Sequence, residues 1–142
     1  MEQFKDDKEF YRVFEEFLKR VLSDPQVGPK LAKAKIRIRF NYTEPDATIF
    51  LNFVDPPPEG MFGSYAIGDT ESKADVTMSQ SAEVATRFWQ GKLNAVMGLA
   101  SGKIKASGQV QRAMGLVTAI RPTFKLFLDV LKEMGHEDKI VK

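Results

Sequence analysis

Between Lys35 and Tyr42 the chain alternates without a break. Ile36, Ile38, Phe40 and Tyr42 are large and apolar, and Lys35, Arg37, Arg39 and Asn41 between them are polar. Successive side chains on a strand point to opposite faces, whereas a helix repeats every ~3.6 residues. Only a strand with one buried face separates these two sets. A second run, Ala47 to Val54, places Ala47, Ile49, Leu51 and Phe53 together, and Phe50 and Val54 predict partial cover on its other face. Thr43-Glu44-Pro45-Asp46 between the runs is turn material, so the pair reads as an antiparallel hairpin.

The spacing is different on either side. Phe10, Phe14, Phe17, Leu18, Val21 and Leu22 recur at helical intervals, and Glu15, Glu16, Lys19 and Arg20 fall largely opposite. Asp24-Pro25 and Gly28-Pro29 are expected to end that helix. Asp55-Pro56-Pro57-Pro58-Glu59-Gly60 reads as an exposed loop, because each proline removes a backbone donor. Short strands are expected at about Met61 to Ile67, Ala74 to Met78 and Lys103 to Ser107. Ser79 or Ser81 can cap a helix carrying Val84, Ala85, Phe88 and Trp89, and Asn94 can cap a shorter one. Val110, Ala113, Met114, Val117 and Ile120 share a later helical face. Pro122 opens a further helix presenting Phe124, Phe127, Leu128, Leu131 and Met134, with Gly135 as its C-cap. The fold class is therefore α+β: a five-stranded, mostly antiparallel sheet covered on one face by helices.

Composition excludes several function classes. The chain has 142 residues, enough for one domain. Its 21 basic and 19 acidic residues leave a net charge of +2, which gives no electrostatic case for nucleic acid. It contains no cysteine, which excludes disulfides, thiol nucleophiles and thiolate metal sites. With a mixed, acidic N-terminus, MEQFKDDKEF, a cytoplasmic protein without a signal peptide is expected. No apolar run approaches the ~20 residues of a membrane span. The terminal Ile140-Val141-Lys142 is not a peroxisomal tripeptide. Eleven phenylalanines and six methionines supply large, adaptable apolar surface for a core or for a cavity wall.

One segment carries a family pattern. In ADVTMSQSAEVATRFWQGKLNAVMGLASGKIKASGQVQRAMGL, residues 74 to 116, Thr77 and Met78 close a strand, Gly91-Lys92-Leu93-Asn94 close a helix, and Gly102-Lys103-Ile104-Lys105 open a strand. These elements, in this order and below a hairpin, resemble the sterol carrier protein 2 (SCP-2) family. Ala95 stands where a proline often follows the asparagine. The tail from Arg121 to Lys142 exceeds that of shorter members, and the peroxisomal terminus of the animal carriers is missing. The resemblance implies a single SCP-2-like lipid-binding domain over 1–142, with an N-terminal helix 8–23, sheet and helices 35–120, and an extra C-terminal helix 122–135. It implies a hydrophobic tunnel between sheet and helices that binds fatty acids, acyl-CoA thioesters, phospholipids, sterol-like or isoprenoid lipids without chemistry.

On that expectation the ligand-binding residues are Phe88, Trp89, Val96, Met97, Leu99, Met114 and Val117, joined from the tail by Phe124, Phe127, Leu128 and Leu131. Each also reads as an ordinary core position, since a stripe at helical spacing is more often core than cavity wall. Trp89, the only tryptophan, could offer its N–H to a headgroup or anchor a helix end. Lys92 or Arg121 could meet a carboxylate or phosphate at a tunnel mouth, or simply be solvated. Pro56-Pro57-Pro58 could be a partner motif or a rigid loop. His136, the only histidine, has no cysteine for a metal site and no nucleophile elbow for a triad. No catalytic residue, cofactor or metal is expected. The expected partners are a lipid or fatty-acyl ligand, a transient membrane contact, and a second copy or partner protein on the C-terminal helix. The alternative role is an accessory protein presenting a lipid intermediate, such as a quinone precursor, to partner enzymes.

Overall fold

A computed structural model describes residues 4–141. Met1–Gln3 and Lys142, the outermost residues of the two segments read for targeting signals, lie outside the described residues. Helix α1 spans Asp7–Ser23, and the Asp6 carboxylate accepts the Glu9 N–H at 2.9 Å to cap it. Its apolar stripe from Phe10 to Leu22 is buried as the spacing predicts. A short helix α2, Gly28–Ala32, follows where a break is expected. Pro29 explains it, because a proline in the first turn loses no helical hydrogen bond and already holds a helical φ.

The hairpin forms as β1, Arg37–Thr43, and β2, Ala47–Asn52, with Phe40 opposite Ile49 and Ile38 opposite Leu51. Strands β3, Ser64–Ile67, β4, Val76–Ser81, and β5, Lys105–Gly108, complete a sheet of order β3-β2-β1-β4-β5. Three pairs are antiparallel, and the central β1–β4 pair is parallel, setting Met78 beside Phe40 and Gln80 beside Tyr42. The inward residues of β1, β2 and β4 join the core that the helices complete. Phe50 faces the other way and is buried outside that core. The Arg39 guanidinium lies 5.7 Å from its ring and is fixed by the carbonyls of Asp69 and Ser72. Gly108 closes the β5 edge at φ +88°, where a Cβ would stand 2.3 Å from the Asp75 carbonyl oxygen. Only glycine fits there.

Ser81 ends β4 and caps α3, Ala82–Trp89, by accepting the Val84 N–H at 3.1 Å. The Gly91-Lys92-Leu93-Asn94 element closes this helix and opens the next within four residues. Gly91 takes φ +76°, the Lys92 N–H reaches the Arg87 carbonyl at 2.8 Å, and the Asn94 side chain accepts from Val96 and Met97 to start α4, Ala95–Ala100. A Cβ on Gly91 would also sit 2.8 Å from the Phe124 ring, so the glycine admits that side chain as well.

The last third is more broken than its helical spacing suggests. It divides into α5, Val110–Met114, α6, Leu116–Ala119, and α7, Thr123–Glu133. Helix α7 packs on α1, with the Phe127 ring 5.4 Å from Phe14 and 4.9 Å from Phe17. Gly135 follows it at φ +79°. The segment beyond returns to α3, where the Gln90 amide donates to the Lys139 carbonyl and accepts the Val141 N–H. Among the described residues no helix is long and apolar enough to cross a membrane.

Candidate functional site

Between the sheet and the helices lies a cavity of about 70 Å³. That is room for roughly five water-sized groups at about 10–15 Å³ each. Helix α1 supplies one wall through Phe17, Leu18, Val21 and Leu22. The sheet supplies another through Ile38, Phe40, Leu51, Met78 and Gln80. Phe88 and Trp89 of α3 and Val110, Ala113, Met114, Leu116, Val117 and Ile120 of the last third also line it. Across the break at Gly115, all five residues of the expected helical face, Val110, Ala113, Met114, Val117 and Ile120, line the cavity.

Among the described residues no charged side chain lines this cavity. Thr123 does, but its hydroxyl donates to the Ile120 carbonyl at 2.5 Å. The Trp89 N–H is buried without a hydrogen-bond partner among the described residues. The ring itself is held edge-on by Phe17 and Phe88, with centroids at 5.2 and 4.9 Å. Burial pushes the Tyr42 hydroxyl far above the ordinary tyrosine range. The Trp89 N–H is close enough to favour its ionised form slightly, yet misses the geometry of a hydrogen bond.

Beside the cavity lies a more open groove of about 360 Å³. Phe88, Ala95, Val117 and Ile120 line both spaces, and Gly91, Leu93, Asn94, Arg121 and Phe124 line the groove alone. Arg121 is exposed there and is the groove's one charged side chain among the described residues. The arrangement can take a long apolar group inward and keep an anionic end outside, paired with a guanidinium.

The structure separates the eleven residues expected to bind ligand into four groups. Phe88, Trp89, Met114 and Val117 line the cavity, and Phe124 lines the groove. Val96 and Met97 are 55% and 65% exposed on α4. Phe127 and Leu131 are fully buried in the core and line neither space. Leu99 and Leu128, both half-buried, also line neither. The wall from α1 and the sheet was not among the expected residues. Its signal was present in the inward face of β1 and the stripe of α1, but period alone does not tell a packed face from one bordering a void.

A family model described as the SCP-2 sterol transfer family matches residues 14–121. No curated protein sequence matches the chain. Among solved structures, sterol carrier protein 2 from Yarrowia lipolytica, in its apo form, superposes with a TM-score of 0.61 at 21% identity, covering 78% of this chain and 88% of that one. Palmitated SCP2L2 from Aedes aegypti gives 0.57 at 19% identity, covering 78% and 93%. A structure titled UbiJ-SCP2 ubiquinone synthesis protein gives 0.58 at 16% identity, covering 82% and 98%.

Proposed function

This chain belongs to the SCP-2 sterol transfer family, and we propose that it binds and carries a hydrophobic ligand without catalysis, working as one domain. The observation that carries this reading is an apolar cavity that shares four lining residues with a more open groove bearing Arg121. Phe88, Trp89, Met114 and Val117 touch the ligand's apolar part, and Phe124 and Arg121 its outer end. Burying about ten methylenes supplies roughly 8 kcal/mol of gross driving force. Ordering the chain and its lost free motion offset much of that. The cavity is smaller than such a chain, so the short helices α5 and α6 move outward as it enters.

Loading takes place at a lipid surface. Val96 and Met97 are exposed next in the chain to the groove residues Asn94 and Ala95, and Lys92, Arg121 and Lys125 are exposed on the segments that supply the groove's walls. Exposed apolar side chains together with cations suit an anionic bilayer. A second reading, presentation of a lipid intermediate to partner enzymes, draws on the similarity to the UbiJ-SCP2 structure. Transfer of a fluorescent fatty acid between phosphatidylcholine–phosphatidylglycerol vesicles separates the two. The carrier reading expects the wild type to speed transfer. It expects Val96→Asp with Met97→Asp to slow it at least ~5-fold, the equivalent of about 1 kcal/mol of lost membrane attraction, with equilibrium binding unchanged. A wild type that moves the probe no faster than vesicles alone rules out the carrier and leaves the presenter.

A further inference from the structure

Helix α5 borders the cavity through Val110, Ala113 and Met114, whereas Arg112 on the same helix lines neither cavity nor groove. Arg112 instead ties the helix to the end of the sheet. One terminal nitrogen of its guanidinium donates to the Lys35 carbonyl at 2.5 Å and to the Ala34 carbonyl at 3.5 Å. The other donates to the Gln109 side chain at 3.0 Å and lies 3.7 Å from the Asp75 carboxylate. That carboxylate accepts the Arg37 N–H at 2.9 Å, at the start of β1. The anchor thus belongs to the sheet and the turn before it. The tethered part is a helix of five residues, with no side-chain N-cap among the described residues. So short a helix has little stability of its own. The exposed ion pair with Asp75 contributes little, so the charge-assisted bond to Lys35 is the main tie.

We propose that Arg112 is a positioning residue that holds α5 against the empty cavity, and that entry of a long acyl chain breaks its tie to Lys35. This rests on the lipid-binding reading above, in which α5 and α6 move outward as the chain enters. A contact made in the empty state and lost in the loaded one opposes binding by its own strength. The coupling is reciprocal, so the ligand loosens the tie as much as the tie weakens the ligand. Only a ligand too large for the empty cavity feels it. Octanoate, with its carboxylate in the groove at Arg121, leaves roughly five carbons to place inside, and the cavity holds about that many small groups. Palmitate displaces the helix. Arg112 thereby makes affinity depend on the length of the chain without touching it.

The test compares palmitate with octanoate on the wild type, Arg112→Gln and Arg112→Lys, with dissociation constants read from Trp89 fluorescence. Arg112→Gln is expected to bind palmitate about 10-fold more tightly, the size of one charge-assisted hydrogen bond. Octanoate binding stays within ~2-fold, far less than such a bond. Arg112→Lys, which keeps the charge and one donor, falls between. Empty Arg112→Gln melts below the empty wild type, and saturation with palmitate narrows the gap. A merely structural tie lowers the melting temperature equally with and without palmitate and leaves its affinity unchanged or weaker. That result, or equal tightening of both probes, overturns the inference and leaves the lipid reading intact. Failure of the wild type to bind palmitate overturns both.

Discussion

Met114→Asp is expected to abolish fatty-acid binding, by at least ~100-fold, in a protein that still folds. Met114 lies on α5, half-buried, with its side chain on the cavity wall. An aspartate there brings a carboxylate against a lining that, among the described residues, has no charged partner. Burying it under a bound chain costs several kcal/mol, and ~2.7 kcal/mol already corresponds to 100-fold. Without ligand the carboxylate can turn toward solvent, because the residue is not in the sealed core. Lowering the pH protonates the group and restores binding, which separates a charge effect from a shape effect. A Trp89 fluorescence titration beside a thermal melt checks both halves. An affinity within ~3-fold of wild type, less than 1 kcal/mol, would place the ligand elsewhere.

Phe127→Ala is expected to act on stability. Its ring is fully buried between Phe14 and Phe17, on α7, which lies beyond residue 121, where the family model stops matching. Truncating a phenylalanine in such a site costs about 3–5 kcal/mol. For a chain of this length that is a fall in melting temperature of roughly 10 °C or more. Urea unfolding should show a lower midpoint with an unchanged slope. A loss under ~1 kcal/mol would mean that α7 merely rests on the domain. The same burial explains why an aspartate at Phe127 is the wrong probe of binding: it would unfold the protein before emptying the cavity.

What was legible in the sequence follows from what period and turn chemistry encode. The strict alternation of Ile36 to Tyr42 specifies a strand and its buried face, and β1 keeps both. The Gly91 to Asn94 element specifies one helix end and one helix start through a left-handed residue and a side-chain cap, and both form. Period is silent about neighbours. Nothing local announces that β4 lies parallel to β1, so Gln80 could not be placed beside Tyr42 inside a cavity. With β4 expected to stop near Met78 and Ser79 or Ser81 as the helix cap, Gln80 falls in no expected strand; the strand continues to Ser81, paired with β1 throughout. The apolar stripes of α5 and α7 look alike in the sequence, yet one borders a void and the other interlocks with α1. That difference is set by which helix each one meets.

The most direct test of the whole account is native mass spectrometry of the freshly purified protein, followed by organic extraction of whatever it carries. The account predicts one lipid-sized mass bound per chain in the wild type and none in Met114→Asp. A wild type that is empty, and stays empty after incubation with fatty acid or a quinone analogue, would contradict it.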